Sequence, residues 1–185
     1  LRSSQADIVV FIDDDVYCTP GWLQGVVDCF KREWVVGASG PTIITNEYRA
    51  NRDVFRFRRI KRIWDWLFLQ GKSNLPGFLS PAGAPSLASN NPRITYEGEV
   101  GYLEACNMAV KRETALSVGG FDLSYKITSE WCEVDLALKL KEKGKLLYSQ
   151  NAKLFHRPSK AGIYKSRLST KHRWTMSEKK DDETV

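Results

Sequence analysis

An apolar run of five β-branched and aromatic residues, Ile8–Ile12, leads directly into three aspartates, Asp13, Asp14 and Asp15. Such a run predicts a buried strand. In open α/β folds the carboxyl ends of strands border the ligand site, so the pattern predicts an α/β fold with carboxylates at that edge. Three neighbouring carboxylates repel one another, and a hard divalent cation, which would in turn hold a diphosphate, offsets that repulsion. The alternative is a solvated acidic turn, which explains one or two of these aspartates better than three.

Composition limits the class of protein. At 185 residues, 42% of them hydrophobic, the chain is large and apolar enough for one globular domain with its own core. Its net charge of +6 favours anionic partners such as nucleotides, phospholipid surfaces or nucleic acid. The cysteines show no spacing typical of a metal site, and we interpret them as free thiols in a reducing compartment; they are Cys18, Cys29, Cys106 and Cys132.

Hydrophobic periodicity predicts alternating strands and helices along the chain. Thr19 is predicted to cap a first helix that has Pro20 at its first position and ends near Glu33 or Trp34. Further helices are predicted over residues 51–69, 111–118 and 130–143, and strands over residues 35–39, 42–45, 100–105, 146–149 and 152–155, the last closing at His156. Residues 71–93 are rich in Gly, Pro, Ser and Asn, which predicts a long loop.

The first strand follows only a few residues after the start of the sequence. A parallel strand needs neighbours that are reached by crossovers of about a dozen residues or more. We therefore expect the natural domain to begin upstream of Leu1.

Five segments, in order, resemble the family-two glycosyltransferases with the GT-A fold. They are residues 8–16 with 20–23; residues 101–113, similar to Gly-x-Asn-Met-Ala-x-x-Arg; the Gly-Gly-Phe-Asp turn at 119–122; residues 133–136; and residues 143–144 with the strand ending in His156. The resemblance covers residues 7–157. It implies an α/β fold, a GT-A-type Rossmann-like αβα sandwich with a mixed sheet, N-terminally truncated. Residues 1–157 would form the catalytic core, and residues 158–185 a basic and then charged extension.

The resemblance implies metal-dependent sugar transfer, with inversion, from a UDP-, GDP- or dTDP-sugar to a hydroxyl of a sugar or lipid-linked acceptor, as in polysaccharide or glycolipid synthesis. The cofactor would be Mn²⁺ or Mg²⁺. Asp15 would be the main metal ligand, Asp13 would share the metal or reach the ribose, and Asp14 would lie at the nucleotide-sugar. His156 would complete the metal site, or else be a histidine satisfied by the backbone.

Inverting transfer needs a base for the acceptor hydroxyl, and the resemblance assigns Glu133 to this role with Asp135 as the alternative. Both acids could instead serve only the helix dipole. Glu104 and Asn107 would contact the donor sugar or acceptor, unless they are a polar pair at a strand end. Trp131 would stack on an acceptor sugar, or else be packing.

Residues 52–69 interleave Arg and Lys with aromatic residues, a pattern found in helices that lie on anionic membranes. This favours a peripheral membrane contact, with the protein cytoplasmic and at the inner face of the cell membrane; an ordinary helix with a solvated basic face is the alternative. The sequence also allows an incomplete or non-catalytic glycosyltransferase-like domain that binds a partner or membrane. We expect no nucleic-acid partner, because no nucleic-acid module is recognisable and an acidic triplet disfavours phosphate without metal.

Overall fold

Strands and helices alternate along the computed structural model, which describes residues 1–44, 58–86, 88–125 and 131–157. The strands are β1 (Ile8–Ile12), β2 (Val16–Cys18), β3 (Val35–Ser39), β4 (Thr42–Ile44), β5 (Gly98–Val100), β6 (Asn107–Lys111), β7 (Lys145–Tyr148) and β8 (Leu154–His156). The helices are α1 (Trp22–Cys29), α2 (Arg58–Leu69), α3 (Arg112–Ser117) and α4 (Cys132–Lys141). The predicted α/β class is confirmed.

The larger sheet has five strands in the order β1-β6-β3-β7-β5. Strand β6 runs antiparallel to both of its neighbours, β1 and β3, whereas β3 and β7 are parallel and β5 is antiparallel to β7. The sheet is therefore mixed, as predicted for a GT-A-like fold. Strand β1 gains an antiparallel partner from later in the chain, although the sequence had led us to expect parallel neighbours.

A second sheet of three strands, in the order β2-β8-β4, brings distant segments together. Strand β8 is antiparallel to β2 and parallel to β4. The register places His156 between Val16 and Ile44. The end of β8 is thereby fixed beside the residues that directly follow the aspartate triplet.

Helices cover both faces of the larger sheet. On one face, Val26 and Cys29 of α1 pack in a cluster that includes Ala109 of β6. On the other face, Leu136 and Leu140 of α4 are fully buried in a cluster with several sheet residues. Apolar residues spaced three or four apart on each helix supply these faces, and burying each large side chain contributes about 1.5–3 kcal/mol.

The first helix differs from its prediction at both ends. The Thr19 hydroxyl donates a hydrogen bond to the Lys153 carbonyl at 2.8 Å, so it does not cap the helix. The N-cap is Gly21, whose φ of 81° is a left-handed conformation that glycine adopts without strain. The helix ends at Cys29 because hydrogen-bonded turns follow, including one from the Val35 amide to the Arg32 carbonyl that leads into β3.

The strand predicted over residues 100–105 is wrong. Sheet pairing stops at Val100, because the amides of Gly101 and Tyr102 both donate to the Gly77 carbonyl in the preceding loop. A turn closed by the Asn107 amide and the Glu104 carbonyl follows, and only then does β6 begin. Strand β6 was not predicted, because its Asn, Ala and Lys are weak strand formers.

Strand β2 was not predicted, whereas the remaining elements lie close to their predicted ranges. Residues 71–93 form the expected loop where they are described, with a 3₁₀ turn at Ala88–Asn90 and one isolated bridge between Leu79 and Pro85. The described ranges leave out parts of four predictions, namely residue 45 of a strand, residues 51–57 and 130 of two helices and residue 87 of the loop, and they leave out the whole extension at 158–185. Among the helices that are described, none has the length and apolar character needed to cross a bilayer.

Candidate functional site

The smaller sheet holds the aspartate turn against His156. Asp15 directly precedes β2, and its carbonyl accepts a hydrogen bond of 2.9 Å from the Arg157 amide. The His156 side chain is buried, with Nε2 2.9 Å from Asp15 Oδ1 and 3.7 Å from Asp13 Oδ2. The structure therefore brings together three residues that the sequence had assigned to a metal site.

Cys106 joins this group, which the sequence interpretation missed. The β1–β6 register pairs Ile12 with Asn107, so Asp13 and Cys106 come next at the same end of the sheet. One ligand atom from each of Asp13, Cys106 and His156 lies within 4.8 Å of the others. We call Asp13, Asp15, Cys106 and His156 the cation cluster. Only the strand register could have revealed the cysteine, because its partners lie far away in sequence.

The electrostatics of the cluster favour a cation. Burial raises the pKa of Asp13. His156 lowers that pKa, whereas the neighbouring charges of Asp15 and Asp14 raise it. Burial also raises the pKa of the Cys106 thiol, and the carboxylates of Glu104 and Asp13 raise it further. A divalent ion would offset this crowding of negative charge.

The donor set fits a divalent metal ion. Carboxylates suit hard cations, and an imidazole and a thiol add the softer donors that transition metals accept more readily than Mg²⁺ does. The residues present therefore fit a divalent metal ion.

The second predicted group of residues lies at the start of α4. Trp131, the N-cap, has a left-handed backbone with φ of 71°, uncommon for a bulky residue. Its side chain is 47% exposed, and its carbonyl accepts hydrogen bonds from the amides of Val134 and Asp135. Asp135 Oδ2 lies 2.6 Å from Lys139 Nζ in an ion pair one helical turn apart, whereas Glu133 Oε2 lies 3.8 Å from Cys132 Sγ. Asp135 is thus held along the helix by a cation.

The buried Tyr102 is influenced electrostatically by residues of both groups. Its hydroxyl donates to the Ser86 carbonyl at 2.6 Å. Burial raises its pKa, and the charges of Glu104, Glu133 and then Cys106 raise it further. The carboxylate at the start of α4 and the thiol of the cation cluster therefore both lie within electrostatic range of one phenol.

Asn107 is buried and its amide group is bonded within the protein. It is 1% exposed; Oδ1 accepts from Trp22 Nε1 at 3.0 Å, and Nδ2 donates to the Ala152 carbonyl at 2.8 Å. These contacts join α1, β6 and the segment before β8, and they support the strand-end packing interpretation. Contact between Asn107 and a donor sugar stays a prediction.

Asn107→Ala is expected to lower the free energy of unfolding by about 1–3 kcal/mol, because the indole N–H of Trp22 and the carbonyl of Ala152 would lose their buried partner. Urea unfolding followed by circular dichroism measures this change. Asn151→Ala, at an exposed asparagine, is the matched control and should shift stability by less than about 0.5 kcal/mol. Equal stability of the Asn107 variant and the wild type would contradict the structural role.

Comparison with known proteins gives one family. Residues 1–80 match the family model described as Glycosyl transferase family 2. A search of curated proteins found no match. The matched range includes the aspartate turn, whereas Cys106, Glu133 and His156 lie beyond it.

Proposed function

We propose that this chain, whose residues 1–80 match the Glycosyl transferase family 2 model, transfers a sugar, with inversion, from a UDP-, GDP- or dTDP-sugar to an acceptor hydroxyl, and that it requires a divalent cation. The observation that carries the proposal is the cation cluster. In it, Asp15 of the turn matched by the family model lies with Oδ1 2.9 Å from His156 Nε2.

Asp15, Asp13 and His156 would hold the cation, with Cys106 as a further donor. When bound, the metal acts as a Lewis acid that stabilises the charge of the departing nucleoside diphosphate. The donor set favours Mn²⁺ over Mg²⁺. Asp14, exposed in the same turn, would contact the nucleotide-sugar.

Glu133 is the proposed general base. Its carboxylate takes the proton from the acceptor hydroxyl as that oxygen attacks the anomeric carbon on the face opposite the diphosphate, which inverts the configuration. Asp135, the alternative base, is in an ion pair with Lys139 at 2.6 Å, and a carboxylate bound to an ammonium is a weaker base. Trp131, half-exposed two residues earlier, would stack on an acceptor sugar, and Glu104 would contact a sugar hydroxyl.

Nucleoside diphosphate is expected to bind at least about tenfold more tightly with Mn²⁺ than in EDTA, a difference of about 1.4 kcal/mol or more. The reason is that the crowded carboxylates repel a diphosphate unless a cation lies between them. Isothermal titration with UDP, GDP and dTDP measures this difference in affinity. It also shows which nucleobase the donor carries. Equal affinity with Mn²⁺ and in EDTA would contradict the metal requirement.

A second candidate function is an incomplete or non-catalytic glycosyltransferase-like domain that binds a partner or a membrane. The exposed apolar side chains of α2 favour it, because they offer a contact surface that catalysis does not use. Turnover separates the two candidates. A chain that binds the donor with Mn²⁺ but never releases nucleoside diphosphate, with any acceptor offered, is of the second kind.

We place the protein in the cytoplasm, at the inner face of the cell membrane. Support comes from its thiols, which are all free: Cys18, Cys29, Cys106 and Cys132. Free thiols are typical of a reducing compartment. The acceptor would then be a sugar or a lipid-linked sugar within reach of that membrane.

A further inference from the structure

Helix α2 exposes an apolar stripe. Its members follow the i, i+3, i+4, i+7, i+8 spacing of one helix face, and their exposed fractions are 51% for Ile60, 60% for Ile63, 42% for Trp64, 57% for Leu67 and 36% for Phe68. In a globular domain such a stripe ordinarily packs on the core. Among the side chains of α2 that the structure describes, the buried one is instead Leu69, at the end of the helix.

The helix also carries basic and aromatic residues, with Asp65 as its one acidic residue. Four of its first five residues are basic, namely Arg58, Arg59, Lys61 and Arg62. The rings of Trp64 and Phe68 lie with their centroids 4.0 Å apart, and Trp66 is 70% exposed. Basic residues combined with an apolar face that carries Trp and Phe are typical of helices lying in the membrane interface.

Helix α2 is too short to cross a bilayer. Twelve residues at about 1.5 Å each give a helix of roughly 18 Å, against a hydrocarbon core of about 30 Å. The helix is therefore suited to lie in the interfacial plane.

We propose that α2 docks the protein onto an anionic phospholipid bilayer. The apolar stripe enters the boundary between headgroups and acyl chains, and the basic residues meet the lipid phosphates. Charge complementarity selects this occupant, because a second copy of α2 docked on the first would bring four more cations close to these four. A nucleic acid would match the charge but leave the five apolar side chains in water. This docking does not depend on glycosyl transfer.

The test is co-sedimentation of the 185-residue protein with vesicles. One set is phosphatidylcholine alone, and the other mixes phosphatidylcholine with phosphatidylglycerol at roughly three to one. The protein is expected to bind the anionic vesicles at least about tenfold more tightly, and to dissociate as ionic strength rises past about 0.15 M. Equal binding to both sets would overturn the anionic specificity.

Variants test the stripe and the charge separately. Ile63→Asp with Leu67→Asp should reduce binding at least about tenfold, because two carboxylates would have to enter the bilayer boundary. Leu123→Asp, at an apolar residue that is 86% exposed, is the matched control and should bind like the wild type. Arg62→Glu should weaken binding to anionic vesicles several-fold, whereas Lys31→Glu, at a side chain 70% exposed, should not.

Circular dichroism of each variant confirms folding before sedimentation. If the stripe variant binds as tightly as the wild type, the proposal is wrong. The proposal is also wrong if the wild type binds neither vesicle set but forms a dimer that the stripe variant cannot form. The apolar stripe of α2 would then be an interface between two copies.

Discussion

Glu133→Gln is expected to reduce the rate of sugar transfer by about 10²–10⁴-fold, the usual contribution of a general base. The amide keeps the size of the side chain but cannot accept the proton of the acceptor hydroxyl. Because the substitution leaves every residue of the cation cluster in place, the Kd for nucleoside diphosphate with Mn²⁺ should stay within about twofold. Steady-state kinetics and isothermal titration on the same preparation measure both quantities.

Asp135→Asn is the matched control for this prediction. It makes the same chemical change two residues away, on a carboxylate already paired with Lys139 at 2.6 Å. Losing that partly exposed pair costs only about 0.3–0.5 kcal/mol of stability, and we expect transfer within about tenfold of the wild type. If the Glu133 variant is fully active and the Asp135 variant is inactive, Asp135 and not Glu133 is the general base.

The sequence predicted those parts of the site that depend on local patterns. The apolar run before Asp13 indicated both a strand and its ligand-bearing end, and β1 lies over residues 8–12 as expected. The closing strand that ends at His156 was also predicted, and the structure places this histidine beside Asp15. In each case hydrophobicity and position in the chain were sufficient, because a buried strand has a recognisable composition.

What could not be predicted depends on pairing between distant segments. Strand β6 is central in the larger sheet although its sequence has little strand preference, because its neighbours β1 and β3 determine its conformation. Its register with β1 in turn brings Cys106 beside Asp13. Without that register the cysteine had no visible relation to the aspartates.

The capping of α1 shows the same limit on a smaller scale. Thr19 and Pro20 form a good local start signal, yet the Thr19 hydroxyl bonds to Lys153 and the helix begins after Gly21. The hydrogen bond to the segment before β8 outweighs a cap worth about 1 kcal/mol. That same segment positions His156, so the departure from the local rule serves the candidate site.

Asp15→Ala is expected to weaken Mn²⁺-dependent binding of nucleoside diphosphate by about 100-fold, since even residues that only support metal ligands are worth about 10–100-fold in affinity. Asp15 is the carboxylate nearest to His156, and its loss leaves the cluster with one aspartate, an imidazole and a thiol. Titration with UDP, GDP and dTDP at fixed Mn²⁺ measures the change. In EDTA the variant should bind nucleoside diphosphate no more weakly than the wild type does. When no cation is bound, removing a negative charge from the site reduces its repulsion of the diphosphate.

Asp7→Ala provides the comparison, because Asp7 is an exposed carboxylate at the opposite end of β1 and its loss raises the net positive charge by the same one unit. It should leave Mn²⁺-dependent binding within about twofold of the wild type, since exposed charges that far apart are screened at physiological ionic strength. If both variants lose affinity equally, the effect is one of overall charge, and Asp15 does not hold the metal. If neither loses affinity, the cation bridges donor and protein elsewhere, and the 2.9 Å contact between Asp15 and His156 is an ordinary hydrogen bond that stabilises the join of β2 and β8.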